Sequence, residues 1–145
     1  MSAEKLYSEI FEEFQKEQTK EGRIKVLRKN DHIRFREFLL MAFSKKIVFD
    51  IDEIPEYIPA KEPAGANITY IDVEIPRIYR FIKGHPKRSP QQTKEKTIKM
   101  FKDVLECLHK DEADLLARAV KHNLDIPFLT TSLIEEAFPG FKDAL

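Results

Sequence analysis

Apolar and polar positions alternate with helical spacing over most of the chain. Leu6, Ile10, Phe11 and Phe14 share one face while Glu9, Glu12, Glu13 and Lys16 take the other, so the pattern predicts an amphipathic first helix running from Ser2. Thr19 offers an N-cap oxygen to a second helix bearing Ile24, Val26 and Leu27, and Asn30 is its stop. Asp31 is expected to cap a third helix, His32 to Ser44, whose Phe35, Phe38, Leu39, Met41, Ala42 and Phe43 make it the central core element. Ile47-Val48-Phe49 reads as a short extended piece. From Asp50 to Asn67 the pattern breaks at Ile54-Pro55, Ile58-Pro59, Glu62-Pro63 and Gly65, because each proline turns its predecessor away from helix. This stretch reads as an irregular loop packed by Tyr57 and Ile58.

Helical spacing then resumes. Pro76 fits a first turn, and Ile78, Tyr79, Phe81 and Ile82 continue a short helix to Gly84. Ser89-Pro90 has the order of an N-cap and a first-turn proline, predicting a long helix with Ile98, Phe101, Leu105 and Leu108 inward. His109 and Lys110 would then complement the dipole at its C-terminus, and Asp111 would cap a following helix with Leu115, Leu116, Ala119 and Val120, stopping near Asn123. Thr130-Thr131-Ser132 opens a last short helix, with Ser132 and Glu135 in capping-box spacing and Pro139-Gly140 at its end. The expected fold is all-α: a single compact domain, residues 1–145, of about seven helices with an irregular Pro-rich loop near residues 50–70.

Composition narrows the function more than the fold. With 145 residues, 34% charged and 42% hydrophobic, the chain can bury one core and is not of disordered type. One cysteine, Cys107, excludes an internal disulfide framework and reads as a small buried hydrophobe, which fits a reducing compartment. No stretch approaches the ~20 apolar residues that span a bilayer, so neither membrane anchoring nor export is expected. His32, His85, His109 and His122 show no metal-ligand spacing, and no glycine-rich phosphate loop or nucleophile elbow occurs. Asp50-Ile51-Asp52-Glu53 is the one acidic run comparable with a divalent-ion loop. No catalytic residue, no metal and no cofactor is expected; the chain reads as a non-enzyme.

The formal net charge is zero, but its distribution is uneven. Residues 51–75 hold one Lys or Arg against six acidic residues, and residues 111–145 three against seven. Residues 76–110 hold ten against three, including Arg77, Arg80, Lys83, Lys87, Arg88, Lys94 and Lys99, interleaved with Tyr79, Phe81 and His85. Such a stretch either tracks a phosphate backbone or forms a solvated helix face. The loop Lys83-Gly84-His85-Pro86-Lys87-Arg88 is the most concentrated part. Thr130, Thr131 and Ser132 are a second candidate, their hydroxyls either holding a phosphate or capping the last helix.

Leu105 to Leu116, followed by Glu136-Ala137-Phe138-Pro139-Gly140-Phe141, resembles the C-terminal signature of small uncharacterised proteins of T-even-type tailed phages. Lys25 to Asn30 and Arg77 to Phe81 carry the same likeness. More distantly, the ending resembles that of the N-terminal DNA-binding domain of phage ATP-dependent DNA ligases. The first resemblance implies a protein acting in the cytoplasm of an infected bacterium; the second implies an all-α domain gripping duplex DNA through basic residues and helix N-termini. The chain is no ligase, since the Lys-x-Asp-Gly adenylation motif is absent, and where that domain has a glycine before its last capping hydroxyl this sequence has Pro127-Phe128-Leu129. Two partners are therefore expected as alternatives: duplex DNA on the basic middle, or a host or phage protein on the acidic Pro-rich loop with Tyr57 and Tyr70.

Overall fold

The apolar stripes read from the sequence pack inward, apart from Ile98, which is half-buried beside the buried Thr97, in the computed structural model, which describes residues 5–63 and 66–145. The expected start at Ser2 and the break at Gly65 lie outside these residues. Helices α1 (Tyr7–Lys16), α2 (Lys20–Lys29) and α3 (Ile33–Phe43) occupy the first third, α4 (Ile71–Glu74) runs into a 3₁₀ segment (Ile75–Phe81), and α5 (Lys94–Cys107), α6 (Lys110–Val120), α7 (Thr131–Ala137) and α8 (Phe141–Ala144) complete the order. The fold is all-α, with eight α-helices and no strand among the described residues. Two isolated bridges, Phe49 with Ile82 and Ala60 with His109, are the nearest approach to a sheet.

Helix α6 shares the centre with α3, packing on α1, α3 and α5. Its Ala113, Leu115, Leu116, Ala117, Ala119 and Val120 are all buried, and the three alanines let neighbouring backbones come close. The rings of Tyr7 and Phe11 on α1 meet Phe35 and Phe38 on α3 at centroid distances of 5.2–6.3 Å. Such aromatic pairs each add about 0.5–1.5 kcal/mol beyond the area they bury.

Helix starts differ from expectation in one recurring way: histidine does work assigned to aspartate. His32 caps α3, its Nδ1 accepting the Arg34 N–H (3.1 Å), while Asp31 instead takes both Nε and Nη2 of Arg36. His109 caps α6 in the same manner through the Asp111 N–H (3.1 Å), so His109 and Lys110 open α6 and do not close α5. Thr19 and Asn30 bound α2 as predicted. Helix α5 starts at Lys94 under a Thr93 cap, not at Ser89-Pro90, which form a turn. Thr130, not Ser132, caps α7, and Glu135 uses its carboxylate on the N–H groups of Gly140 and Lys142 at the start of α8 (2.9 Å each). In the Pro-rich loop Tyr57 packs against the core, but Ile58 is 72% exposed.

Helix α1 has no capping side chain at Leu6; its free N–H groups are met from elsewhere. Glu9 reaches back to the Leu6 N–H (2.8 Å), and Glu112, buried on α6, accepts the N–H groups of Tyr7 (3.2 Å) and Ser8 (2.6 Å). A carboxylate at a helix N-terminus is favoured by the helix dipole. Burial nonetheless wins, raising the Glu112 carboxyl above its ordinary value of 4.5 despite the hydrogen bonds from Ser8 and Tyr7. The folded state therefore holds this proton more tightly than the unfolded chain, and the associated stability is present at low pH and lost as pH rises through the folded value. Urea unfolding of wild type and Glu112→Gln from about pH 4 to 8 tests this. The variant should gain relative to wild type as pH climbs past 4.5; a pH-independent difference would contradict it.

Candidate nucleic-acid interface

Phe81, fully buried edge-on against Phe101 (5.3 Å), fixes the end of the 3₁₀ segment. Its carbonyl accepts the Asp50 N–H (2.7 Å) and the Lys83 N–H donates to the Val48 carbonyl (2.8 Å), so the extended piece predicted at 47–49 lies antiparallel to residues 81–83. The chain then reverses at Gly84, whose φ of +72° is the left-handed conformation that glycine adopts without strain. His85 accepts the Lys87 N–H at Nδ1 (3.1 Å) and lays its ring on Tyr79 (5.3 Å).

Arg88 turns inward from this loop. Its Nη2 donates to Asp50 Oδ2 (2.8 Å) and Thr97 Oγ1 (2.9 Å), and its Nη1 to the Ile82 carbonyl (3.3 Å). Thr97 is fully buried; it also accepts from Gln92 Nε2 (2.8 Å) and donates to the Thr93 carbonyl (2.9 Å), so its hydroxyl is saturated. Gln92 closes the circuit on the Arg80 carbonyl (2.8 Å). This network binds segment 47–50, the 3₁₀ end, the basic loop and the first turn of α5 into one unit.

The predicted cations thus divide in two. Arg77 and Arg80 both face the buried carboxylate of Glu74, at 2.5 and 3.4 Å, beside the Thr69 hydroxyl (2.6 Å). Burial lowers Arg80 below its ordinary value, the neighbouring Arg77 adding to the effect and Glu74 opposing it. Arg88 and Asp50 form a pair with side chains only 10% and 14% exposed. Lys94 pairs with Asp52, and its hydrogen bond holds that carboxyl below the ordinary range. The acidic run Asp50 to Glu53 accordingly spends its two aspartates on cations. By contrast Lys83, Lys87 and Lys99 are exposed and, among the described residues, carry no ion pair.

Three lysines join them that the charge count overlooked. Lys45 and Lys46 stand exposed at the turn leading into Ile47, and that strand-like piece is brought to the loop by the Val48–Lys83 bond. Lys121, beyond the end of α6, donates to the Asp52 carbonyl (2.5 Å). The fields of both Lys83 and Lys121 reach Asp52, adding to the lowering by Lys94. The Lys45-Lys46 pair beside a predicted extended piece was the available signal. On α5 the outward face mixes Lys96, Lys99 and Lys102 with Glu95, Asp103 and Glu106, so positive charge concentrates at the loop and first turn. Cations in a first turn oppose the helix dipole and strengthen the positive field there.

Thr130, Thr131 and Ser132 stand on another part of the fold. Helix α7 packs on α2 and α8, and the Thr130 hydroxyl is already engaged by the Leu133 N–H (3.2 Å). Ahead of it Phe128 takes a φ of +68°, and its exposed ring lies under the Arg23 guanidinium at 3.8 Å. Where a glycine would leave the backbone open, an aromatic side chain covers it.

The model of a protein family described only as a family of unknown function matches residues 10–126. The chain belongs to the DUF6433 family. The matched part of this DUF6433 protein takes in α2 to α6 and the whole lysine surface, and stops short of Thr130. No curated protein and no solved structure matches it. Among its described residues no helix is long and apolar enough to cross a membrane.

Arg88→Ala should lower the unfolding free energy by about 2–4 kcal/mol, because it leaves the mostly buried Asp50 carboxylate with only Lys94, 3.9 Å away. Adding Asp50→Ala should recover part of that loss. Urea denaturation measures both; a loss below about 1 kcal/mol for Arg88→Ala would mean that solvent already screens the pair.

Proposed function

We propose that this DUF6433 protein is a non-enzymatic accessory that binds duplex DNA by its phosphate backbone, acting in the cytoplasm of a phage-infected bacterium. The observation that carries the reading is the placement of Lys45, Lys46, Lys83, Lys87 and Lys121, from three separated segments, around the pairing of residues 47–50 with 81–83, where none forms an ion pair among the described residues and Asp52 alone reaches Lys83 and Lys121 by its field. Like charges gathered on one face repel one another, and a polyanion supplies the counter-charge that offsets this repulsion. Arg77, Arg80, Arg88 and Lys94 then serve as scaffold, neutralised by Glu74, Asp50 and Asp52, and Lys99 extends the surface along α5. His85, tilted against Tyr79, supplies a ring at the centre of the loop. Backbone contact of this kind reads no base sequence. The resemblance to ligase DNA-binding domains supports the same partner, and that to the phage protein family supports the cellular setting.

Fluorescence anisotropy with a labelled duplex at two salt concentrations tests the proposal. Binding at about 50 mM salt should fall steeply by 200 mM, and Lys83→Ala with Lys87→Ala should weaken it and reduce the log–log salt slope by about 2. Lys102→Ala with Lys110→Ala should change it little. No binding at the lower salt, or equal loss in both pairs, would sink the reading.

A further inference from the structure

Three of the four histidines use the same nitrogen in the same way. Nδ1 of His32, His85 and His109 accepts the N–H two residues on, from Arg34, Lys87 and Asp111 at 3.1 Å each. An accepting nitrogen carries a lone pair, so each of these rings is held with its proton on Nε2. His122 meets the opposite demand. Its Nδ1 lies 3.1 Å from the Ala42 carbonyl and its Nε2 2.7 Å from the Ile47 carbonyl. A carbonyl oxygen only accepts, and an imidazole donates from both nitrogens only when it is protonated.

The surroundings favour the added charge. Ala42 stands in the last turn of α3, whose final carbonyls have no partner within the helix, and His122 lies just past α6 with its own N–H on the Ala119 carbonyl (3.0 Å). The ring therefore sits where two helices end, at the negative ends of both dipoles, and a cation is stabilised there. His122 is half-buried, and its backbone holds a φ of +56°, a left-handed conformation uncommon for a residue with a side chain. Such a conformation persists where the surrounding contacts fix it. The charged groups on the elements around it give the ring no partner. Lys45 and Lys46 in the turn after α3 oppose its charge, and Asp50 and Asp52 beyond that turn are spent on Arg88 and Lys94. At the end of α6, Arg118 is held by Asp114 and the Leu124 carbonyl and Lys121 by the Asp52 carbonyl, while Asp125 stands exposed three residues on. Among the described residues no carboxylate forms an ion pair with His122, so the carbonyls and the helix ends hold the proton.

The two carbonyls bracket the turn that carries Lys45 and Lys46. Within it the Ser44 N–H donates to the Leu40 carbonyl (2.8 Å) and the Ile47 N–H to the Ser44 carbonyl (3.2 Å), and both lysines are exposed. We propose that His122, protonated on both nitrogens, is a pH-sensitive latch that pins this turn to the end of α6 and so sets Lys45 and Lys46 in the lysine surface. Its bearing on DNA rests on the function proposed above; its geometry does not. Loss of either proton sets a nitrogen lone pair against a carbonyl oxygen, the ring leaves that carbonyl, and the turn loosens. Affinity for a duplex therefore falls as pH rises through the range in which histidines change charge, about pH 5 to 8.

Long-range proton–nitrogen NMR spectra of the imidazole rings, recorded on the isotope-labelled full chain without DNA, read the protonation of each nitrogen directly. At a pH where His32, His85 and His109 show an unprotonated Nδ1, both nitrogens of His122 should still carry protons. As pH rises further, the amide signals of Ser44 to Phe49 should move together with the His122 ring. Duplex affinity at fixed salt should fall at least about threefold over the same step, and His122→Gln should abolish the step while His32→Gln keeps it. A neutral His122 ring at the first pH, amides of the turn that ignore its titration, or an affinity step that survives His122→Gln would overturn the proposal. If His122→Gln does not fold, the wild-type spectra decide alone. Absence of duplex binding at every pH would sink the DNA reading, and the ring and turn signals would still decide the latch.

Discussion

The guanidinium of Arg88 holds three chain segments at once, and that demand shapes the functional surface. A group with five N–H donors, taken largely out of water, must find acceptors or cost several kcal/mol. It finds Asp50, Thr97 and the Ile82 carbonyl, which belong to the extended piece after α3, the start of α5 and the end of the 3₁₀ segment. None of these segments is long enough to be fixed by its own hydrogen bonds. Arg88 therefore ties a short loop with a glycine reversal to its neighbours, and Lys83 and Lys87 stand exposed on that loop.

The same principle sorts charge across the molecule. Glu74, Asp50 and Asp52 neutralise Arg77, Arg80, Arg88 and Lys94, while Lys45, Lys46, Lys83, Lys87 and Lys121 form no ion pair among the described residues. Guanidinium groups take the buried positions, where their planar fork meets several acceptors, and ammonium groups take the solvated ones, where strong hydration is no penalty.

Helices with strong stripes were legible in the sequence, because α1, α3, α5 and α6 bury nearly all the residues whose spacing announced them, Ile98 giving its inward place to Thr97. Cap assignments were less so: His32 and His109 took over from Asp31 and Asp111, since a histidine ring nitrogen accepts the same N–H two residues on but ranks poorly as a cap. Thr93 displaced Ser89-Pro90 because Thr97, one turn on, had to be buried within the Arg88 network. Helices α4 and α8, one turn each, carry too few residues for periodicity to register. For the candidate site, the sign of the charge was readable but its destination was not. Which cations turn inward depends on carboxylates far away in sequence, as with Asp50 and Arg88, and which lysines join depends on the pairing of residues 47–50 with 81–83.

An NMR titration of isotope-labelled protein with a short duplex addresses the lysine surface residue by residue. DNA contact there requires amide shifts confined to Lys45–Asp52, Lys83–Lys94 and the neighbourhood of Lys121, with Thr130–Ser132 silent. Shifts centred on α7, or none at any duplex concentration at low salt, would contradict it.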